Sequence, residues 1–166
     1  MIQHARPNTY IALPDEVERL TGLATEFHGS GYSSVWRPDF EFDSRAWGEF
    51  WSGAVGGDRA VAIFCTEDGE RDGKPVGFIL GLVVDCPTEG ERFITEAAWF
   101  VSSEAVGLPY GVTLLAALEG FGESVGAVRI NMGHLANRTG KRLARIYSRW
   151  GYTPVEVIYT KRIGGN

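Results

Sequence analysis

The stretch ITEAAWFVSSEAVGLPYGVTLLAALEGFGESVGAVRINMG, residues 94–133, decides the fold. It begins inside a strand-like run, residues 92–101, and continues through the loop SSEAVGLPYG. A helix is predicted from Val112 to Val125, because apolar residues recur there at helical spacing, and a short buried strand, residues 127–133, follows it. A strand that leads through a loop into a helix leaves unpaired amides and the positive end of the helix dipole at the loop. That arrangement suits an anion.

The rest of the chain extends this pattern in both directions. Two further strands are predicted at residues 59–65 and 75–85, paired as an antiparallel hairpin. Helices are predicted over residues 14–28, from a cap at Asp43 or Ser44 to about Ala54, and over residues 138–150. Residues 151–163 are expected to close the chain as one or two strands. This order of elements predicts a single α/β domain over residues 1–166, with a mixed sheet.

The composition is that of a globular protein. Of the 166 residues, 44% are hydrophobic and 22% are charged, which are ordinary values for a folded domain. No run approaches the roughly 18 apolar residues of a membrane span, and residues 1–10 contain no apolar signal-peptide core. We therefore expect a cytoplasmic protein with no membrane partner. No metal is expected either, because Cys65 and Cys86 lack metal or redox spacing and no other cluster has ligand spacing.

The charge is unevenly distributed along the chain. A net charge of −5 argues against binding of bulk nucleic acid, which depends on lysine and arginine. The C-terminal third nevertheless concentrates cations, namely Arg129, Arg138, Lys141, Arg142, Arg145 and Arg149. They fit a site for a phosphate-bearing ligand, and they equally fit the solvated face of a helix.

Four short motifs carry a family resemblance. WFV (99–101), LLAALE (114–119) and GAVRI (126–130) are followed by RLARIYSRWGYTPVEVIYTK (142–161). Together they resemble the acetyl-CoA-binding segment and closing signature of the Gcn5-related N-acetyltransferase (GNAT) superfamily, over about residues 58–163. The resemblance implies a GNAT-like fold of six to seven strands and about four helices, and an acetyltransferase that uses acetyl-CoA. The early His28 and the YTK ending also resemble acetyltransferases encoded by bacteriophages.

The resemblance assigns the cofactor's pyrophosphate to the loop before the third helix. The family's loop usually reads Arg/Gln-x-x-Gly-x-Gly/Ala, whereas residues 106–111 read VGLPYG and keep only the last glycine. Val106 supplies no cation, and Pro109 has no N–H to donate. Backbone groups are therefore expected to do most of the binding, with Arg138, Lys141 or Arg142 replacing lost charge. The expected cofactor contacts are Phe100 and Val101 for pantetheine, and Val106, Gly107, Leu108, Tyr110, Gly111, Val112 and Arg142. From the residues alone, the loop also fits an ordinary strand–helix connection.

Three residues are candidates for catalysis. Tyr147 holds the position of the family's tyrosine, which implies that its hydroxyl protonates the CoA thiolate, although a core aromatic would fit the same pattern. Glu96 is the candidate base, because partial burial raises the pKa of a carboxyl group. A solvent-facing or salt-bridged glutamate, with water as the base, stays open. Strict alternation places Glu96 on the face of Ala98 and Phe100 unless a bulge intervenes. His134 is a second candidate for the base or a substrate contact.

The acceptor is expected to be an amine on a small molecule or a protein. In the resembled family the loop after the first helix often builds the acceptor pocket, which here implies His28, Tyr32 and Trp36. His28 also suits a helix C-terminus, where it would interact with the dipole. The competing hypothesis is a non-catalytic GNAT-like module that has lost CoA binding, and a nucleotide-binding α/β domain is a more distant third. A homodimer stays open.

Overall fold

The computed structural model of the protein describes residues 8–32, 41–107, 109–134 and 138–158. The chain divides into two compact units, residues 1–133 and residues 134–166. The first unit contains a sheet with helices packed on it, and the second contains one helix and the segment that follows. The expectation of a single folding domain stays a prediction.

The sheet has five strands in the order β1-β2-β3-β4-β5, with β1 to β4 antiparallel and β5 parallel to β4. The three central strands confirm the runs predicted from the sequence. Every residue of β2 is buried, which explains its continuous apolar run, because a strand covered on both faces needs no polar alternation. The strands are β1 (Thr9–Ile11), β2 (Ala60–Thr66), β3 (Pro75–Asp85), β4 (Arg92–Val101) and β5 (Arg129–Asn131).

A β-bulge interrupts β4 at Ala97. Leu80 pairs with Ala98 while the next residue of β3, Gly81, pairs with Glu96, so Ala97 is the extra residue. Ala97 and Ala98 both pack in the same hydrophobic cluster. The bulge therefore breaks the alternation, and the register places Glu96 on the opposite face from Ala98. The expectation from strict alternation was wrong for this reason.

The helical segments before β2 follow the predicted path with different local geometry. Residues Pro14–Leu20 form a 3₁₀ helix, which continues into α1 (Thr21–Phe27) and then a π-helical turn over His28–Tyr32. Helix α2 (Ser44–Gly56) begins where the sequence predicts, because the Asp43 carboxylate accepts a hydrogen bond from the Ala46 amide at 2.9 Å.

Helices cover both faces of the sheet, and each face has its own hydrophobic cluster. On one side, α1 and α2 pack on a cluster that includes Leu20, Trp51, Phe64, Phe78 and Leu80. On the other side, α3 (Tyr110–Ser124) contributes Leu114 and Leu118 to a cluster with Ile63, Ile79 and Ile94. Burial of such side chains, each contributing about 1.5–3 kcal/mol, fixes β4 between the two layers.

The second unit contains α4 (Arg138–Arg149), which confirms the predicted helix. Residues 151–158 form no strand, although the sequence predicts one or two strands over residues 151–163, and the remainder of that run lies outside the described residues. Val155, Val157 and Ile158 are exposed. β-branched residues favour a strand only where a partner strand pairs with it, which explains the difference from the pattern. The described ranges thus hold five strands, fewer than the six to seven expected, within the predicted mixed α/β fold. Among them, no helix is long and apolar enough to cross a bilayer.

Candidate active site

The loop between β4 and α3 ends at a helix N-terminus. A 3₁₀ turn over Ser103–Ala105 leads to Gly107, whose φ of 96° lies in the region that favours glycine. Pro109 lies directly before α3, where its missing N–H costs no helical hydrogen bond. The Thr113 amide donates to the Pro109 carbonyl at 3.0 Å. The amides of Tyr110 to Val112 therefore belong to the first turn, where helix geometry provides no intrahelical acceptor.

Two residues in the first turn of α3 serve the fold. The hydroxyl of Tyr110 donates to the Glu67 carbonyl at 3.4 Å, and its ring packs against the α3-side cluster. A Cβ added at Gly111 would lie 3.4 Å from a ring carbon of Trp99 and 3.7 Å from Val101, so this glycine allows α3 to approach β4 closely. Both residues can offer only their amides to a ligand.

Valine side chains flank the helix start. Val106 is 63% exposed and Val112 is 41% exposed, so neither is held by packing on both sides. Leu108, also predicted to contact the cofactor, lies outside the described residues. Of the loop residues that the structure describes, Val106 and Val112 add no charge, so their contribution to anion binding is limited to the backbone and the dipole of α3.

One edge of β4 is open beside this loop. Strand β5 pairs only with Phe93 to Thr95 of β4. Beyond Thr95, no strand in the described part of the chain pairs with that edge, whereas the other edge continues to pair with β3 as far as Val101. The side chains of Phe100 and Val101 pack in opposite clusters, so the strand is anchored on both faces. Within the described residues, the backbone of Phe100 and Val101 on this side has no strand partner.

Glu96 lies at the point where β5 leaves β4. It is only partly exposed, and its Oε2 accepts a hydrogen bond from the Gly133 amide at 3.2 Å. Burial raises the pKa of this carboxyl group to about 7, outweighing the Gly133 hydrogen bond, which acts in the opposite direction. It forms no ion pair with any described residue. Near neutral pH, such a carboxyl group can both bind and release a proton.

His28 lies among aromatic rings at the end of α1. Its ring stacks on Phe42 with centroids 4.5 Å apart, and it meets Phe27 edge-on at 5.1 Å. Burial lowers the pKa of His28, which favours the neutral imidazole at pH 7. Tyr32 ends the π-helical turn, and Trp36, the third residue predicted to contact the acceptor, lies outside the described residues.

The second unit brings Tyr147 and His134 together. Tyr147 is buried, its ring centroid is 6.3 Å from that of His134, and Tyr152 lies 5.8 Å away on another side. Gly151, at a φ of 86°, ends the helix, and the Tyr152 amide donates to the Tyr147 carbonyl at 3.0 Å. The motif that follows Tyr147 in the sequence is therefore a helix-ending turn that folds back on it.

Arg142 lies on the solvent side of α4. It is exposed together with Lys141, Arg145 and Arg149, and none of the four forms an ion pair with a described residue. The helix therefore presents a row of cations to water.

Within the described ranges, no group of His, Cys, Asp and Glu is arranged to hold a metal ion.

Comparison with known proteins decides the family. The model of the "Acetyltransferase (GNAT) family" matches residues 21–152, most of the chain. The chain belongs to the GNAT acetyltransferase family. No curated protein matches it in sequence.

Solved structures share this GNAT fold at low sequence identity. A probable acetyltransferase superposes with a TM-score of 0.76 at 14% identity, covering 96% of this chain and 99% of its own. An aminoglycoside acetyltransferase from an uncultured soil metagenomic sample gives 0.73 at 15% identity, with 95% and 98% covered. AAC(6')-Iy, in complex with the bisubstrate analogue CoA-S-monomethyl-acetylneamine, gives 0.66 at 16% identity, with 94% and 98% covered.

Some features of the candidate site were not predicted from the sequence. The only sign of the bulge at Ala97 in the sequence is the pair of adjacent alanines, Ala97 and Ala98. The Gly133 amide that donates to Glu96 lies 37 positions away along the chain. The edge-on contact of Phe27 with His28 and the stacking of Phe42 on the same ring depend on the fold, and the sequence pattern did not predict them.

Proposed function

We propose that this GNAT protein transfers an acetyl group from acetyl-CoA to an amine by direct attack of the amine on the thioester. The observation that carries the proposal is Glu96, a partly buried carboxyl group whose pKa is raised to about 7 at a bulge beside the open edge of β4. Bulges often re-aim a side chain next to an active site. We expect this activity in the cytoplasm, with a small molecule or a protein as the acceptor.

The backbone is expected to bind the cofactor. The amides of Gly107 and of residues 110–112 would receive the pyrophosphate, supported by the dipole of α3. Leu108 would add a further amide, and Val106 and Arg142 remain expected contacts. The open edge of β4 at Phe100 and Val101 would pair with the pantetheine chain as a strand does. Because backbone amides supply these contacts, the loop can bind the pyrophosphate although Val106 replaces the arginine or glutamine that the family usually has there.

The chemistry then requires proton transfers at the nitrogen and at the sulfur. Ionised Glu96 accepts a proton from the substrate ammonium, and the freed nitrogen attacks the carbonyl carbon of the thioester. An amide at Phe100 or Val101 donates a hydrogen bond to the carbonyl oxygen as negative charge develops on it. As the new N–C bond forms and the C–S bond breaks, the Tyr147 hydroxyl protonates the departing thiolate. The nitrogen loses its second proton to solvent, and solvent returns a proton to the Tyr147 oxygen and takes the one held by Glu96. His134, beside Tyr147, is the alternative base or a substrate contact.

The test is the pH dependence of turnover in Glu96→Gln. Because the base acts only when ionised, kcat/KM of the wild type should rise with pH through about 7 and then level off. Loss of a general base typically costs about 100-fold to 10,000-fold, so the variant should lose this limb and most of its rate. Free CoA thiol is measured with an amine panel.

Glu123→Gln is the matched control, because Glu123 is an exposed carboxylate on α3 with no ion pair among the described residues. It should keep both the rate and the pH profile of the wild type. An unchanged pH profile in Glu96→Gln would remove Glu96 from the mechanism. Absence of acetyl-CoA binding by calorimetry would instead favour the non-catalytic module.

A further inference from the structure

The loop between β4 and α3, residues 102–109, is tied to α1 by one side chain. Glu26 lies in the last turn of α1, and its Oε1 accepts a hydrogen bond from the Ser103 amide at 2.9 Å, across 77 positions of the chain. Ser103 begins the 3₁₀ turn of this loop, where a backbone amide has no acceptor within the turn. Glu26 therefore satisfies from outside a donor that the turn itself cannot satisfy.

The other two amides of this turn are satisfied locally. The Ser102 hydroxyl accepts from the Glu104 amide at 3.4 Å, and the Ser102 carbonyl accepts from the Ala105 amide at 2.9 Å. With the Glu26 bond, all three amides of the turn over Ser103–Ala105 have an acceptor. The turn is thereby fixed where the chain leaves β4, before it continues to Gly107 and α3.

The β2–β3 hairpin supplies a weaker contact to the same loop. Lys74 pairs with Glu104 at 2.8 Å, but both side chains are mostly exposed, and an exposed pair of this kind contributes little. Glu26 is partly buried and binds the main chain of the loop. A bond to the main chain sets the position of the backbone, whereas Lys74 holds a flexible side chain.

The last turn of α1 also contacts β4. The ring centroid of Phe27 lies 5.7 Å from that of Phe100, and α1 continues without a break into the turn over His28–Tyr32. The consecutive residues Glu26 and Phe27 thus hold the end of α1 against the loop and against the end of β4. A displacement of the loop has to be accommodated by the last turn of α1.

We propose that Glu26 is a positioning residue that fixes the β4–α3 loop for the pyrophosphate of acetyl-CoA and couples occupancy of this loop to the end of α1. The inference rests on the proposed function, which assigns the pyrophosphate to the amides of Gly107 and residues 110–112. A loop that is already in place binds phosphates without the cost of ordering it, so loss of the Glu26 bond lowers affinity. The same bond carries the effect of the bound cofactor to α1.

Calorimetry with CoA compares Glu26→Ala with Glu26→Gln. The alanine removes the acceptor, so Kd should rise about three- to thirtyfold, as expected for one charge-assisted hydrogen bond at a partly exposed site. The glutamine keeps an oxygen that can accept from the Ser103 amide, so its Kd should stay within about threefold of the wild type. An unchanged Kd in Glu26→Ala, or equal losses in the two variants, would overturn the positioning role.

Glu18→Ala is the matched control for this titration. Glu18 is an exposed carboxylate on the 3₁₀ helix that precedes α1, and it forms no ion pair with a described residue. Its removal changes the net charge by the same amount as Glu26→Ala and should leave Kd unchanged. A loss equal to that of Glu26→Ala would assign the effect to charge and contradict the proposal.

Hydrogen exchange followed by mass spectrometry tests the coupling to α1. In the wild type and in Glu26→Gln, saturating CoA should slow amide exchange in peptides from residues 20–32. In saturated Glu26→Ala this protection should be lost, while protection of residues 102–112 remains. Lys74→Gln, which removes the exposed ion pair, should keep the protection of α1. Protection of α1 in Glu26→Ala equal to that of the wild type would contradict the coupling.

These measurements need no acceptor, so they separate the inference from the proposed function. Acetyl transfer with unchanged Kd and unchanged protection of α1 in Glu26→Ala would contradict the positioning role and leave the transferase intact. The expected affinities and exchange pattern, without acetylation of any amine in the panel, would support the positioning role and contradict the transferase. Failure of the wild type to bind CoA would contradict both.

Discussion

At the scale of single residues, Glu96 shows how a proposed catalytic group can oppose stability. Its pKa is about 7 in the folded protein and about 4.5 in the unfolded chain. Between these two values the folded state binds the proton more tightly, so the free energy of unfolding falls as pH rises through this range. Above pH 7 the full cost of the ionised, partly buried carboxylate remains. A base needed at neutral pH therefore carries a stability cost at that pH.

Tyr147 allows a sharp test at the same scale. Its ring is buried and contacts His134 and Tyr152, contacts that phenylalanine would keep. If the hydroxyl protonates the thiolate, Tyr147→Phe removes an interaction made in the transition state, so kcat should fall at least tenfold while the Kd for CoA barely changes. Turnover, CoA affinity and melting temperature are measured together. Full turnover with a slightly shifted melting temperature would identify Tyr147 as a packing residue only.

At the scale of elements, the sequence predicts those that are encoded locally. The Asp43 cap of α2, the run of β2 and the apolar face of α3 are visible in consecutive residues, and each is confirmed. The bulge at Ala97 depends on register with β3, so a pattern confined to β4 cannot reveal it. The hydrogen bond of Glu96 is likewise invisible in the sequence of β4, because the Gly133 amide that donates it follows β5. Pairing across the sheet, rather than propensity, sets these features.

The N-terminus of α3 provides the prediction at this scale. Val106 is 63% exposed and occupies the position where the resembled family usually has arginine or glutamine. Val106→Arg should therefore tighten CoA binding without disturbing packing, by roughly two- to tenfold at low salt, as expected for one charge-assisted contact. Calorimetry at two ionic strengths measures the gain, which should shrink as salt screens it.

Val106→Gln is the matched control, since it adds polar length without charge. It should produce a smaller gain with little dependence on salt. A substitution at Gly111 is a poorer probe, because a side chain there would enter the contact between α3 and Trp99. No change in CoA affinity for Val106→Arg would show that the phosphates bind away from this loop.

At the scale of the whole molecule, positive and negative charges are divided unevenly between the two units of this chain, whose net charge is −5. Residues 1–133 contain nine Lys and Arg against twenty Asp and Glu, whereas residues 134–166 contain seven against one. The cations of the first unit are mostly paired, as with Arg71 and Glu16 or Arg92 and Asp85. Those exposed on α4 form no ion pair with a described residue. Average composition therefore says little about local attraction for phosphate groups, which depends on where the charges lie.

The last prediction concerns cooperativity. Both hydrophobic clusters lie within residues 1–133, so the second unit has to unfold with them if the chain is one folding domain. We expect a single transition in urea, with the same midpoint by tryptophan fluorescence and by far-ultraviolet circular dichroism. Four of the five tryptophans lie in residues 1–133, so Trp150→Phe makes the fluorescence report on that unit alone.

Acetyl-CoA extends this test to function. A ligand that binds only the folded state at about 100 times its Kd raises the free energy of unfolding by about 2.7 kcal/mol, and in a single domain both probes must shift together. ATP at the same concentration is the control, because it carries phosphates but no pantetheine chain to pair with β4. A circular-dichroism curve with a second step that acetyl-CoA does not move, beside a fluorescence transition that it does move, would show that residues 134–166 unfold independently. It would also show that Tyr147 and Arg142 contribute little to cofactor binding, since both belong to the unit that did not respond.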